Sequence, residues 1–287
     1  MGGSDQPTQS MSQLTLMAVF AHPDDESFGV GGTLAKYAAE GHDVHLVTAT
    51  RGEAGRIAEP DLATPANLPA VRERELRRAC ETYGINPPHL LDYVDGQLPI
   101  VHQGQAVGKL VQLIRQIMPD VLLTFGPDGA YGHYDHIAVH RWATIAFDLS
   151  NDPDCFPGQA LGECRPHQVS KLYYLALAEE RLADMTSDGR PNAGPPAVMM
   201  DGVPFAFVGR PSEEITTVID VSDFAATKVS GIQCHVTQVG RQSIWSALSD
   251  EDMRDPWLQQ ETFVRARSVV DIPPGVEVDL LAGLRQS

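Results

Sequence analysis

The sequence predicts an α/β fold in which helices cover both faces of a mostly parallel sheet. Strand-like apolar runs alternate with helical stretches through the first half of the chain, and the connections between them are short. This order is typical of a parallel sheet, because parallel strands need a helix-length crossover between them. The 287 residues suit one large α/β domain or two small ones, and the lack of an internal repeat or clear linker favours one.

Regular elements of the first half are predicted from composition, periodicity and end signals. Residues 14–21 are apolar enough for a fully buried strand, and three further strands are predicted at residues 43–50, 89–94 and 121–125. Helices are predicted between and after these strands, at residues 33–40, 69–83, 107–118 and 135–149. Gly41 ends the first helix, Pro69 lies in the first turn of the second, and Pro119 ends the third.

The second half of the chain is less regular. Strands are predicted at residues 171–177 and 214–221, and a helix at residues 223–235 is followed by a polar tail segment. Residues 187–212 contain nine Gly or Pro in 26 positions, which indicates a surface excursion or a β-hairpin arm. Residues 1–13 are predicted to be a flexible tail, and residues 14–287 a single domain.

The charge of the chain argues against nucleic-acid and membrane-surface roles. Lys and Arg number 21 and Asp and Glu number 38, so the formal net charge is −17, which repels phosphate backbones and anionic lipids. The first 14 residues are polar, and no apolar run approaches the roughly 20 residues of a membrane span. The four cysteines are scattered, without a CxxC pair, as is typical of reduced thiols. We therefore expect a cytoplasmic protein.

Polar side chains follow each predicted strand of the first half. The sequence HPDDE at residues 22–26 follows the first strand, and TRGE at residues 50–53 lies at the end of the second. Asp95 follows the third strand, and GAYGHYDH at residues 129–136 follows the fourth. In parallel α/β sheets, ligands bind outside the carboxyl ends of the strands. These segments therefore predict the rim of an active site.

The first and last of these segments contain the ligand types of a catalytic divalent metal. Such an ion takes three imidazole or carboxylate ligands and leaves a position for water. Pro23 fixes a turn that can aim His22 and Asp25 inward, and His136 would supply the third ligand. Two imidazoles and one carboxylate suit Zn²⁺ and also Fe²⁺. A pair formed by His136 and His140, one helical turn apart, is the alternative.

The motifs resemble those of the LmbE-like, GlcNAc-PI de-N-acetylase family of zinc-dependent deacetylases. The residues that carry the resemblance are Ala21-His22-Pro23-Asp24-Asp25-Glu26 and Gly132-His133-Tyr134-Asp135-His136. Further similar residues extend it over about residues 15–240, namely Thr50-Arg51-Gly52-Glu53, Arg72 with Glu75-Leu76, Asp95-Gly96 and His235-Val236-Thr237-Gln238. The resemblance implies a Rossmann-like fold that hydrolyses the acetamide of a small N-acetylglucosamine-containing substrate. Members include enzymes of mycothiol and bacillithiol synthesis, mycothiol-conjugate amidases and chitobiose deacetylases.

The resemblance also implies a role for each motif. The zinc ligands that it implies are His22, Asp25 and His136. The catalytic groups that it implies are Asp24 as general base, His133 on the developing oxyanion or the leaving amine, Asp135 to hold His133, and Tyr131 as a second donor. The residues predicted to bind substrate are Arg72, Asp95, Arg51 and Glu53.

Arg72 gives an independent indication of function. It lies in the first turn of a predicted helix, where a cation opposes the helix dipole at a cost of about 0.3–1 kcal/mol. Binding of substrate hydroxyls or of an anionic group would explain this position. An ion pair with Glu53 or Asp95 explains it equally well.

Two positions depart from the family pattern. Arg56 stands where the mycothiol-pathway deacetylases carry a carboxylate for substrate, which argues against a specific mycothiol-precursor assignment. Tyr134 replaces the Pro of the His-Pro-Asp-His form, and this change on a connecting residue leaves the ligands in place.

Other functions fit the sequence less well. Gly29-Val30-Gly31-Gly32 follows the first strand as in nucleotide-dependent oxidoreductases, but it lacks the GxGxxG pattern and favours close helix–sheet packing instead. The sequence has no GxSxG motif, so nothing in it supports a serine hydrolase. A non-catalytic sugar-binding protein would tolerate Asp24→Asn. Within the favoured class, the alternative is an amidase that cleaves a sugar-linked or thiol-conjugate amide. Whether the chain forms a homo-oligomer is open, since its tryptophans suit a core or an interface.

Overall fold

The centre of the protein is a seven-stranded sheet, which confirms the predicted α/β fold. The computed structural model describes residues 13–161, 164–186, 197–200 and 202–285. Its strands are β1 (Thr15–Phe20), β2 (Asp43–Thr50), β3 (His89–Tyr93), β4 (Val121–Phe125), β5 (Lys171–Leu175), β6 (Leu177–Ala178), β7 (Ala197–Met200), β8 (Val203–Ala206), β9 (Gly209–Arg210), β10 (Thr217–Asp220) and β11 (Gln260–Ser268). The central sheet has the order β10-β11-β5-β4-β1-β2-β3. β11 runs antiparallel to β10 and β5, and the other neighbouring pairs are parallel.

Helices cover both faces of this sheet. They are α1 (Asp25–Ala39), α2 (Leu68–Tyr83), α3 (Gln103–Ile117), α4 (Gly129–Gly132), α5 (Tyr134–Leu149), α6 (Glu179–Thr186), α7 (Ala225–Cys234), α8 (Val236–Val239) and α9 (Pro256–Gln259). One group of packed helices is α1, α2 and α7, and a second is α3 and α5. The β1-α1-β2 crossover steps toward one edge of the sheet and β3-α3-β4 steps back across it. Because such crossovers are right-handed, α1 and α3 lie on opposite faces.

Helix α1 begins at Asp25, eight residues before the predicted start. The glycines after β1, which precede the predicted helix, are helical and allow close contact with neighbouring elements. A Cβ on Gly31 would lie 2.7 Å from the Tyr83 hydroxyl of α2, and one on Gly32 would lie 2.7 Å from the Val221 side chain. These glycines therefore serve packing, as predicted, although the neighbour of Gly31 is a helix rather than the sheet.

Strand β11 was not predicted, because its polar residues hid it in a segment expected to be a tail. Glu261 is buried, and its carboxylate accepts hydrogen bonds from the Gly32 and Thr33 backbone and lies 2.9 Å from Lys228 Nζ. These partners lie on α1 and α7, more than 30 residues away in sequence. Burial of this strand therefore depends on contacts that local composition does not reveal.

The predicted arm is described only in part. Residues 187–196 and 201 lie outside the described residues, as do residues 1–12 of the predicted tail. The described remainder contains the antiparallel pair β7–β8. The Val208 N–H donates to the Ala130 carbonyl at 2.8 Å, which brings the end of this segment to the loop that follows β4.

Two further sequence expectations concern thiols and membranes. All four cysteines are free thiols. Within the described ranges, no helix has the length and apolar character needed to cross a bilayer.

A buried ion pair links the start of β5 to the C-terminal segment. Lys171 is fully buried, and its Nζ lies 2.8 Å from Glu277 Oε1. We expect Glu277→Ala to lower the free energy of unfolding by about 3–5 kcal/mol, because the ammonium would stay buried without its partner. Urea unfolding measures this change. The control is Asp61→Ala, which removes an exposed carboxylate from Arg241. An equally small effect of both variants would contradict the prediction.

Candidate active site

The predicted site residues lie at the carboxyl ends of β1 and β4. β1 pairs with β2 on one side and with β4 on the other. The chain steps away from β1 in both directions, so the loops after β1 and β4 diverge and leave a crevice between them. The first loop carries His22 and leads into α1, which begins at Asp25, and the second leads into α5 with His136 in its first turn.

Three side chains converge in this crevice: His22, Asp25 and His136. His136 Nε2 lies 3.3 Å from His22 Nδ1 and 3.2 Å from Asp25 Oδ1. His22 Nδ1 lies 3.4 Å from Asp25 Oδ2. Both rings are buried, and the backbone N–H groups of Ala21 and His22 donate to the Asp25 carboxylate and fix its direction. The structure thus brings together the three groups predicted to bind metal.

The hydrogen bonds of the two rings determine which nitrogen of each faces the crevice. His136 Nδ1 donates to the Gly129 carbonyl at 3.1 Å, which leaves Nε2 as the nitrogen that faces the crevice. His22 Nε2 lies 3.0 Å from Asp95 Oδ1 and 3.3 Å from Asp135 Oδ2, so this nitrogen donates to carboxylates and Nδ1 faces the crevice. One nitrogen of each ring and the Asp25 carboxylate therefore face one another. This is the outer-shell arrangement of metal-binding histidines.

The charges around the crevice favour a cation. Burial disfavours a charged His22, but its hydrogen bonds to Asp135, Asp25 and Asp95 outweigh burial and hold its pKa well above the usual value. Burial likewise opposes ionisation of Asp25, yet His136 and His22 hold the pKa of that carboxyl well below its usual range. The site is thus rich in negative charge that a proton or a metal ion would neutralise.

Asp24 lies next to this cluster and pairs with a buried arginine. Arg72 Nη2 lies 3.2 Å from Asp24 Oδ2, and the guanidinium also donates to the Pro23 and Gly52 carbonyls. Burial raises the pKa of Asp24 to about 6, although Arg72 acts in the opposite direction. Arg72 therefore forms its ion pair with Asp24, and not with Glu53 or Asp95 as the alternative interpretation expected.

His133 and Tyr131 border the cluster on the side of the β4 loop. The His133 ring stacks on His136 at a centroid distance of 4.5 Å, and its Nδ1 accepts the Asp135 backbone N–H at 3.1 Å. The Tyr131 ring packs edge-on against His136 at 5.2 Å. Burial lowers the pKa of His133 to about 4, with a further contribution from His136 and His22.

Asp135 bonds to the His133 ring through its backbone N–H, and its carboxylate bonds to other groups. Its carboxylate contacts His22 and accepts the backbone N–H groups of Gly96 and Leu98 at 2.7 and 3.1 Å. These bonds tie the first turn of α5 to the loop after β3. Asp135 therefore orients a predicted metal ligand.

Of the other residues predicted to bind substrate, one lies within the site and two have partners outside it. Asp95 contacts His22 and accepts the Ala54 N–H, so it lies within the site. The Arg51 guanidinium is bound to Glu73 and Asp92, at 2.8 and 2.5 Å, and the structure does not bring it to the cluster. The Glu53 carboxylate accepts the Arg51 backbone N–H and stays in its own loop.

The contacts of two other histidines, His140 and His235, show that neither belongs to the cluster of predicted metal ligands. His140 Nδ1 donates to the Phe125 carbonyl at 2.9 Å, away from His136 Nε2. His235 is fully buried and lies 2.8 Å from Glu26 Oε1. The sequence predicts no role for His235, because its partner lies 209 residues away. Phe125, whose ring stacks on His136 at 3.9 Å, was also missed.

The chain is similar to known proteins over most of its length. Residues 17–147 match the family described as PIG-L: GlcNAc-PI de-N-acetylase. A 1D-myo-inositol 2-acetamido-2-deoxy-alpha-D-glucopyranoside deacetylase from Streptomyces griseus is 36% identical, over 94% of this chain and 88% of that protein. The chain belongs to the GlcNAc-PI de-N-acetylase family.

Other relatives show the range of this GlcNAc-PI de-N-acetylase family. A mycothiol S-conjugate amidase from Streptomyces coelicolor is 31% identical, over 96% of this chain and 99% of that protein. The solved structure of N,N'-diacetylchitobiose deacetylase from Pyrococcus horikoshii has the same fold, with a TM-score of 0.63, 18% identity, and coverage of 90% of this chain and 85% of that one. The family match extends over both motifs that line the crevice, which confirms the resemblance predicted from them.

Proposed function

We propose that the protein is a zinc-dependent N-deacetylase that converts the acetamide of an N-acetylglucosamine-type substrate into an amine and acetate. The observation that carries this proposal is the convergence of His22 Nδ1, His136 Nε2 and the Asp25 carboxylate within 3.2–3.4 Å of one another. Asp24, a carboxylate of raised pKa, lies directly beside them.

The donor set fits a divalent metal. His22 Nδ1, His136 Nε2 and the Asp25 carboxylate would hold the ion, and the remaining ring nitrogens are already bonded to Asp95, Asp135 and Gly129 as metal-binding histidines require. A bound Zn²⁺ supplies Lewis acidity, which makes water more acidic and polarises the amide carbonyl. Fe²⁺ suits the same donors, and metal analysis of protein purified with and without oxygen would distinguish them.

The residues of the chain supply the proton transfers and the oxyanion donors. Asp24 accepts a proton from the attacking water as its oxygen bonds to the acyl carbon. The same proton passes to the amine nitrogen when the carbon–nitrogen bond breaks. His133 keeps a proton on Nε2, because its Nδ1 accepts a backbone N–H, and this donor together with the Tyr131 hydroxyl would stabilise the oxyanion.

The predicted substrate contacts need one revision. Both terminal nitrogens of Arg72 bind Asp24 or backbone carbonyls, so we assign Arg72 to holding the base rather than the sugar. Glu53 lies in the loop after β2, and Asp95 accepts the Ala54 N–H of that loop. We keep both as proposed contacts to sugar hydroxyls. Arg51 is assigned to the ion pairs that fix this loop.

Two glycine variants test the role of Arg72. Gly52 has a φ of +66°, and a Cβ there would overlap the Arg72 guanidinium, whereas Gly84 has a φ of +71° with open space around it. We expect alanine at either position to lower the free energy of unfolding by about 1 kcal/mol. Only Gly52→Ala should also lower kcat/KM, by about 10–100-fold, because it displaces the group that holds Asp24. Equal kcat/KM in both variants would contradict this role.

Release of acetate tests the proposed function directly. The zinc-loaded protein is incubated with N-acetylglucosaminides that differ in the aglycone, including the inositol glycoside named for the Streptomyces griseus relative. Stoichiometric acetate and amine are expected from at least one of them. If none yields acetate while zinc is bound, the deacetylase proposal is wrong.

The second candidate is an amidase that acts on a thiol conjugate. It is favoured by the similarity to the Streptomyces coelicolor amidase, which spans nearly its whole length. The bond broken is again an amide, so the same residues would serve. Release of an acylated thiol fragment from a mycothiol S-conjugate, without acetate release from simple glycosides, would support this candidate instead.

A further inference from the structure

A buried pair of side chains lies behind Asp24 and takes no part in the proposed chemistry. Glu26 on the first turn of α1 and His235 after α7 are both fully buried, and Glu26 Oε1 lies 2.8 Å from His235 Nε2. The same Glu26 oxygen accepts a hydrogen bond from the Ser27 hydroxyl at 2.6 Å, which in turn accepts one from the Tyr83 hydroxyl at 2.8 Å. Groups from α1, α2 and the end of α7 thus fix the Glu26 carboxylate.

The backbone of Asp24 has an unusual conformation. Its φ is 129° and its ψ is −26°, a region that residues with a side chain rarely adopt. Such conformations persist only where the surrounding structure imposes them, and they are concentrated at functional sites. Something in the structure must therefore hold Asp24 in place.

Glu26 provides that restraint. Its second oxygen, Oε2, accepts the Asp24 backbone N–H at 3.0 Å. On the other side, the Asp24 carbonyl accepts the Ser27 and Phe28 N–H groups, which begin helix α1. The Glu26 carboxylate therefore connects the strained peptide at Asp24 to the buried network.

We propose that Glu26 and His235 are positioning residues that hold the Asp24 backbone so that its carboxylate meets the attacking water. Glu26 bonds to Asp24, and His235 fixes the Glu26 carboxylate from the opposite side. The inference rests on the proposed function, in which Asp24 is the base. It requires the hydrogen bond to Asp24 N–H and not the negative charge of Glu26.

Four variants of the full-length, zinc-loaded protein separate positioning from general stability. Glu26→Ala removes the restraint. Glu26→Met with His235→Leu replaces the buried pair by apolar groups of similar volume, which keeps the fold if alanine does not. Glu26→Gln keeps an amide oxygen for the Asp24 N–H, while its NH₂ group can donate to His235 Nε2. Tyr83→Phe is the control, because it alters the same network without a bond to Asp24.

The readouts are kcat and KM for acetate release, bound zinc per chain and thermal unfolding. We expect Glu26→Ala and the double variant to lower kcat by about 10–100-fold with KM and zinc content unchanged, since a carboxylate displaced by about 1 Å loses that much. Glu26→Gln and Tyr83→Phe should keep most of kcat.

Three results would overturn the inference. One is an unchanged kcat in the folded double variant and in Glu26→Ala. The second is a loss of kcat in Glu26→Gln as large as that in Glu26→Ala, and the third is an equally large loss of kcat in Tyr83→Phe. The variant Asp24→Asn separates these results from failure of the proposed function. If it is inactive while the Glu26 variants keep full kcat, only the positioning role is wrong. If it keeps full turnover, the base assignment itself fails.

Discussion

Replacing Asp24 with asparagine is expected to lower kcat by about 10²–10⁴-fold, the usual contribution of a general base. An amide oxygen cannot take up the proton of the attacking water, whereas the size of the side chain and its contact with Arg72 are largely kept. Bound zinc should remain at one per chain, because Asp24 is not among the proposed ligands. Acetate release and metal analysis on the same protein preparation measure both quantities.

The matched control is Asp43→Asn at the start of β2. Asp43 accepts hydrogen bonds from His45 and Asn86 at the opposite end of the strand from the site. The same chemical change should leave kcat unaltered there. Full turnover by Asp24→Asn with zinc bound would show that the Asp24 carboxylate is not the base.

Removal of His136 is expected to cost the protein its metal and its activity together. Loss of an outer-shell partner typically lowers metal affinity by about 10–100-fold, so loss of a ligand should lower it by more than about 100-fold. Competition with a zinc chelator measures the affinity of the His136→Ala variant. We expect zinc to be retained by the parent protein and lost from the variant at the same chelator concentration.

His140→Ala is the control for this prediction. His140 lies on the same helix, one turn after His136, and donates to the Phe125 carbonyl. Its removal should leave zinc affinity unchanged. If both variants lose zinc equally, the metal is held by the His136–His140 pair, the alternative that the sequence left open.

The location of the site could be predicted because it depends on strand order and short motifs. His22 and Asp25 follow β1, His136 follows the loop after β4, and parallel strands end at the same edge of the sheet. The burial of β1 and β4 likewise follows from continuous apolar sequence. For these features, local composition and one general rule of topology are sufficient.

Side-chain partners could not be predicted in the same way. The Asp135 carboxylate contacts His22 rather than His133, because its oxygens also accept the backbone N–H groups of the loop after β3. Arg51 pairs with Glu73 and Asp92 from α2 and the end of β3. Such choices depend on which segments the fold brings together, and neither spacing nor periodicity carries that information.

Anomalous diffraction at the zinc edge, from crystals of the metal-loaded protein, tests the central claim most directly. We predict one metal peak, bound to His22 Nδ1, His136 Nε2 and the Asp25 carboxylate. A peak at the other nitrogen of the His22 ring, bound by Nε2, Asp95 and Asp135, would contradict this ligand set. The absence of any peak in this crevice would contradict the metal-dependent mechanism as a whole.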